Sequence, residues 1–113
     1  MKRFLLLYAL ILFSRCEKEP KTLFSKLSST QTKIEFSNLL KETHTFNYFT
    51  NPYIYLGGGV GVGDINNDGL EDLYFTGNMV ENKLYLNKGN LEFEDITESA
   101  GVQGDDRWYS GIV

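Results

Sequence analysis

Cysteine, histidine and tryptophan each occur once among the 113 residues, and proline twice. A single cysteine, Cys16, excludes an internal disulfide framework and a cysteine-built zinc site. A single histidine, His44, leaves no Ser-His-Asp constellation and no histidine-rich metal centre, and in its aromatic surroundings it reads as a surface or packing residue. Bases are also in short supply, 11 against 15 acids, for a formal charge of −4. An acidic chain lacks the lysines and arginines that provide most affinity for a phosphate backbone, so nucleic acid is not an expected partner. No apolar run is long enough to cross a bilayer. The longest, Phe4 to Phe13, has ten residues, about half of a transmembrane helix.

That run follows Met1-Lys2-Arg3, a short basic start, and precedes Cys16. Basic start, apolar centre and early end describe an export signal. With Cys16 immediately after it, the segment resembles a bacterial lipoprotein signal, in which the cysteine becomes the acylated first residue. Phe13 and Ser14 suit that pattern; Arg15 stands where a small residue is usual. Acylation by more than one chain gives stable anchoring, at about 0.8 kcal/mol per buried methylene. Loss of Lys2, Arg3 and Arg15 on processing leaves eight bases against 15 acids, a charge of −7.

The sequence then divides. Residues 1–16 are the signal with its lipidation site at Cys16, and 17–33, rich in Lys, Ser and Thr, read as a flexible tether. Residues 34–102 form the folded unit. Ile34-Glu35-Phe36 alternates like a lead-in strand, and an aromatic stretch reaches Leu56. From Gly57 the pattern sharpens into four short strands: a Gly/Val run ending at Gly63, Leu73 to Thr76, Lys83 to Leu86, and Leu91 to Ile96. Gly77-Asn78 and Asn87-Lys88-Gly89-Asn90 are turn signals, too short for crossover helices, so the expected sheet is an antiparallel meander and the fold class all-β. The glycines Gly57, Gly58, Gly59, Gly61 and Gly63 give no G-x-G-x-x-G register and lead into Asp64 rather than a helix. A phosphate loop is thereby excluded. Alternation with valine instead lets this strand run close to neighbouring backbones.

Between the first two strands lies Asp64-Ile65-Asn66-Asn67-Asp68-Gly69-Leu70-Glu71-Asp72. Side-chain oxygens fall at the first, third, fifth and ninth positions, and glycine at the sixth. In a tightly turned loop Asp64, Asn66, Asp68 and Asp72 can converge, with the Leu70 carbonyl added, on a hard cation such as Ca²⁺. An EF-hand would place a bidentate Glu at position twelve, which here is Phe75, and a helix on each side. The alternative is a plain polar turn, since Asn-Asp-Gly forms hairpins without metal. That alternative explains the middle of the loop but not the acids at its ends, where uncompensated carboxylates repel by about 1 kcal/mol per close pair. Glu71 is expected to face solvent, and Glu92 and Glu94 to line a solvated strand face rather than form a catalytic pair.

The segment Gly59 to Leu73 resembles an FG-GAP/VCBS repeat, the unit of integrin-α-like β-propellers. Ile34-x-Phe36-x-Asn38-x-Leu40, Asn82-Lys83-Leu84-Tyr85-Leu86-Asn87, Phe93 to Thr97 and Ala100-Gly101-Val102 extend the likeness to the start of ASPIC/UnbV proteins, relatives of cartilage acidic protein. The resemblance implies a propeller of about seven four-stranded blades. It also implies a calcium loop with Asp64, Asn66, Asp68 and Asp72 as side-chain ligands and Leu70 as carbonyl ligand. Asn66, in place of the commoner Asp, weakens the site toward Kd values of roughly 10⁻⁴ to 10⁻³ M. Trp108 to Val113 looks like the opening of a second unit, with Gly111-Ile112 corresponding to Gly59-Val60 at a spacing of 52 residues. On that expectation residues 34–102 are the first blade, 103–113 begin a truncated second, and a lone blade needs stacked neighbours.

The function expected is a non-enzymatic, calcium-stabilised binding or adhesion module of an exported, lipid-anchored protein at the outer membrane or cell surface. Its partners are membrane lipid through acylated Cys16 and a protein or glycan ligand the sequence does not identify. The alternative is the propeller scaffold of a cell-surface enzyme for glycan or ester hydrolysis, with its active site elsewhere.

Overall fold

A computed structural model of the chain describes residues 22–105 and 107–113. The export signal and Cys16 lie outside the described residues. Within the latter no helix is long and apolar enough to cross a membrane.

The elements run α1 (Ser29–Thr32), β1 (Val60–Gly63), β2 (Asp72–Phe75), β3 (Lys83–Asn87), β4 (Phe93–Asp95) and α2 (Thr97–Ala100). The four strands form one sheet in the order β1-β2-β3-β4, every neighbour antiparallel. The fold is therefore β-dominated, as the alternating pattern requires. Pairing of Gly61 with Tyr74 and of Tyr74 with Leu84 puts these side chains on one face. Val60, Val62, Leu73, Phe75 and Tyr85 share the other.

Three expectations change. Ile34-Glu35-Phe36 does not join the sheet. It crosses the second face instead: Phe36 stacks on Phe75 with centroids 5.1 Å apart, and the Glu35 N–H donates to the Tyr85 hydroxyl at 3.3 Å. Alternation there records one-sided burial rather than ladder pairing. The fourth strand begins at Phe93, not Leu91, because Asn90 and Leu91 take left-handed backbone angles (φ 54° and 61°) in the turn. The stretch read as tether contains α1, one turn capped by the Ser28 side chain, which accepts from the Gln31 N–H.

Fully buried apolar side chains are few among the described residues: Ile54, Leu84, Tyr85 and Phe93. Buried polar groups fill much of the remaining interior. Asn78 is the busiest. Its N–H donates to Asn38 Oδ1 at 3.0 Å, its amide nitrogen to the carbonyls of Gly57 (3.1 Å) and Tyr109 (2.8 Å), and its Oδ1 accepts from Asn38 Nδ2 at 2.6 Å. One side chain thus ties the lead-in, the approach to β1 and the C-terminal segment to the β2–β3 connection. Asn82 Oδ1 accepts from the Gly77 N–H at 2.9 Å and closes that connection from within. Every buried polar side chain in the described residues has a hydrogen-bond partner, which is what keeps so polar an interior from costing stability.

The C-terminal segment lies against β1. A Cβ on Gly59 would sit 2.9 Å from the Gly111 Cα, and one on Gly61 3.2 Å from Ile112 Cδ1. Glycine at Gly59 answers the close approach of a neighbouring backbone, while Gly61 leaves room for the Ile112 side chain.

Candidate metal centre

The nine-residue loop joins β1 to β2. Its neck is set by the ladder, because Gly63 pairs with Asp72 and so brings Asp64 and Asp72, the first and ninth positions, to the same end of the hairpin. Its bend is set by two left-handed residues, Asn67 (φ 59°) and Gly69 (φ 85°). Asparagine tolerates that region better than most residues, and glycine occupies it without a Cβ clash.

Backbone amides surround the acids. Asp64 Oδ1 accepts from the Asp68 N–H at 3.1 Å and Oδ2 from the Gly69 N–H at 2.8 Å. Asn66 Oδ1 shares the Asp68 N–H at 3.1 Å, and its amide nitrogen donates to Asp68 Oδ2 at 2.9 Å. Asp68 Oδ1 accepts from the Leu70 N–H at 2.8 Å. Asp72 is only 1% exposed; its Oδ2 accepts from the Ile65 N–H at 3.0 Å, and its Oδ1 from the Asn87 N–H at 2.7 Å. Burial of a carboxylate is costly unless such charge-assisted bonds replace water, and here both oxygens are bonded. Asp72 therefore stitches the loop to β3, and Asn87 Nδ2 adds a bond to the Glu71 carbonyl at 2.9 Å.

Asn66 and Asp68 project from the exposed tip, while Asp64 and Leu70 are half-buried. Glu71 is exposed, and so are Glu92, Glu94 and His44. Among the described residues no three His, Cys, Asp or Glu side chains stand close enough together to hold a metal ion. The loop places all five candidate ligands on one bend and orders Asp64 and Asp72 most firmly, but its acids are turned toward amides.

The donor chemistry nevertheless fits a hard cation. All five groups offer oxygen, and each carboxylate oxygen that accepts one N–H keeps a second lone pair.

Sequence reasoning missed the asparagine hub. Asn78 and Asn82 lie in the β2–β3 connection just after Gly77 and resemble turn residues, and Asn38 is forty positions from its partner. Only their burial separates them from solvent-facing turn residues. Set against family models, curated proteins and solved structures, the chain matches none.

Proposed function

We propose that residues 34–102 are one blade of an FG-GAP/VCBS-like β-propeller, in which the loop Asp64–Asp72 binds Ca²⁺ as a structural ion. On this reading the blade belongs to an exported protein anchored at the cell surface by acylated Cys16, and its role is binding or adhesion. The observation that carries the metal assignment is the neck of the hairpin: Gly63 opposite Asp72, with Gly69 at φ 85°, supports a cup whose first and ninth residues meet at the same end of the hairpin. The ion would draw on Asp64, Asn66, Asp68 and Asp72 and on the Leu70 carbonyl. It would offset two of the four negative charges, those of Asp64, Asp68, Glu71 and Asp72, in a loop without a base.

The propeller assignment draws support from the glycines of β1. Gly111-Ile112 lies directly against Gly59 and Gly61, and by sequence Gly111-Ile112 is the counterpart of Gly59-Val60. Segments at corresponding positions of successive units, packed on each other with glycine at the closest approach, are what radial repetition of a sheet calls for. On the opposite face Val60 and Val62 remain exposed, as expected of surface that a further sheet would cover.

Calcium titration followed by thermal unfolding tests the metal. At tenfold excess over Kd, binding to the native state alone stabilises by about 1.4 kcal/mol, roughly 5–10 °C in Tm. Asp64→Ala and Asp68→Ala remove that response. A Tm indifferent to calcium in the unsubstituted chain defeats the assignment.

A further inference from the structure

The segment from Glu42 to Tyr55 stands apart from the sheet and holds itself by local bonds. Asn47 is its clamp. The side-chain nitrogen donates to the carbonyls of Thr43 (3.0 Å) and His44 (3.2 Å), and Oδ1 accepts from the N–H groups of Phe49 (2.9 Å) and Thr50 (3.3 Å). Ile54, fully buried, anchors the far end. Four aromatic rings around these fixed points face outward, Tyr48 (53% exposed), Phe49 (94%), Tyr53 (68%) and Tyr55 (61%), of which Tyr48, Phe49 and Tyr55 cluster.

Their arrangement is specific. Tyr48 and Tyr55 have centroids 6.3 Å apart and planes inclined by 30°, forming a shallow shelf. Phe49 stands at 71° to Tyr48 with centroids 6.1 Å apart, forming a wall. Glu42 is fixed at the edge, where one carboxylate oxygen accepts from the Tyr55 hydroxyl at 2.8 Å and from the Tyr48 N–H at 3.2 Å. These groups, with His44 and Asn47, line an open concavity of about 730 Å³. Glu42, His44 and the Thr43 hydroxyl share that lining, but among the described residues no hydrogen bond joins the His44 ring to either of the others, so no assembled acid–base pair or activated nucleophile is present and the chemistry on offer is recognition.

We propose that this concavity is a binding site for a neutral glycan, with one pyranose ring on the Tyr48–Tyr55 shelf, Phe49 against its edge and Glu42 accepting from its hydroxyls. A sugar ring has an apolar C–H face and a rim of hydroxyl donors. The shelf supplies the complementary π surface, and the second Glu42 oxygen supplies acceptors. The other ligands that stack on aromatics fit less well. A single-stranded nucleic acid would meet the Glu42 carboxylate, with no base in the lining to hold its phosphates. A methylated ammonium would suit the carboxylate but needs ring faces set apart around it. Tyr48 and Tyr55, at 6.3 Å, are within the range of direct ring contact. The site rests on the reading of the chain as a surface binding module, but it uses none of the calcium ligands.

Saturation-transfer NMR on the full chain tests it, with cellohexaose, mannohexaose and chitohexaose as probes and with oligothymidylate and a trimethyllysine peptide as competitors. The expected result is saturation transfer to at least one hexaose, displaced by neither competitor. Tyr48→Ala and Tyr55→Ala should each weaken it about tenfold, the equivalent of one lost stacking contact. Tyr55→Phe, which keeps the ring, should retain most of the affinity and guards against misfolding as the cause of loss. Absence of transfer to all three hexaoses overturns the proposal. So does binding that survives both alanine substitutions, or saturation transfer to a competitor in place of the sugars. Calcium-dependent Tm, read on the same samples, separates the two readings: glycan binding that persists in a chain indifferent to calcium defeats only the metal. A calcium response without glycan binding defeats only this site.

Discussion

The sheet contains two hairpin connections that begin alike and end differently. Both start with a carboxylate or amide oxygen accepting from amides further along: Asp64 from Asp68 and Gly69 in the β1–β2 loop, Asn87 from Gly89 in the β3–β4 turn. Both place a glycine in the left-handed region, Gly69 at φ 85° and Gly89 at φ 86°. The β3–β4 turn is electrically balanced, with Lys88 paired to Glu94 at 3.2 Å. The β1–β2 loop carries Asp64, Asp68, Glu71 and Asp72 and no base at all. Turn formation accounts for everything in the second connection and for only part of the first. On the proposed reading, that surplus of acid is the charge a bound cation would offset.

The sharpest way to break this comparison is Asp72→Ala. It removes the acceptor of the Ile65 and Asn87 amides and empties a buried position, so a loss of about 2–3 kcal/mol is expected in urea unfolding, with or without calcium. Asn87→Ala, at the mirrored position of the other connection, should cost less, because Asn87 is only half-buried and its turn keeps other bonds.

Calcium itself should distinguish the two. Added ion should shift the amide resonances of residues 64–72 and leave those of 88–92 in place, while Tm rises by the amount given above. Equal shifts in both would mean that the ion binds surface charge at random.

Glycine replacement should treat the connections equally. Gly69→Ala and Gly89→Ala each force a Cβ into the left-handed region, costing about 1 kcal/mol apiece. If Gly69→Ala also abolishes the calcium response, the backbone path as well as the carboxylates shapes the cup.

The smallest effect is electrostatic and lies at the end of the β3–β4 hairpin away from its turn. Burial pushes the Asp95 carboxyl up, but hydrogen bonds from the Thr97 hydroxyl and N–H and the Lys83 ammonium at 3.1 Å outweigh it and hold the pKa below its usual value. A depressed carboxyl pKa contributes stability that is present above the unfolded-state value and is lost as pH falls through the folded one. The expected loss therefore lies below about pH 4. Lys83→Met should flatten that acid limb slightly, by well under 1 kcal/mol for so exposed a pair.

The strands and their order could be read directly, because period-two alternation and Asn/Gly turns are local signals and a meander needs nothing else. The same logic misled at Ile34 to Phe36, where alternation reflects one face pressed on Phe75 while the backbone stays outside the ladder. It misled again at Leu91, whose apolar side chain suits a strand but whose φ of 61° belongs to the turn. Asn38 and Asn78 were illegible for a different reason. Hydrogen bonding across forty residues leaves no periodic trace.

The sequence by itself determined the four-stranded meander, the acidic loop with glycine at its bend and the closeness demanded by the glycines of β1. Each follows from the steric and polar character of adjacent residues. Tertiary structure decided which acid is buried, which asparagine gathers the distant segments and which aromatics stay outside. Those outcomes depend on what the chain brings near from far away, because desolvation and hydrogen bonding act through space and not along the backbone.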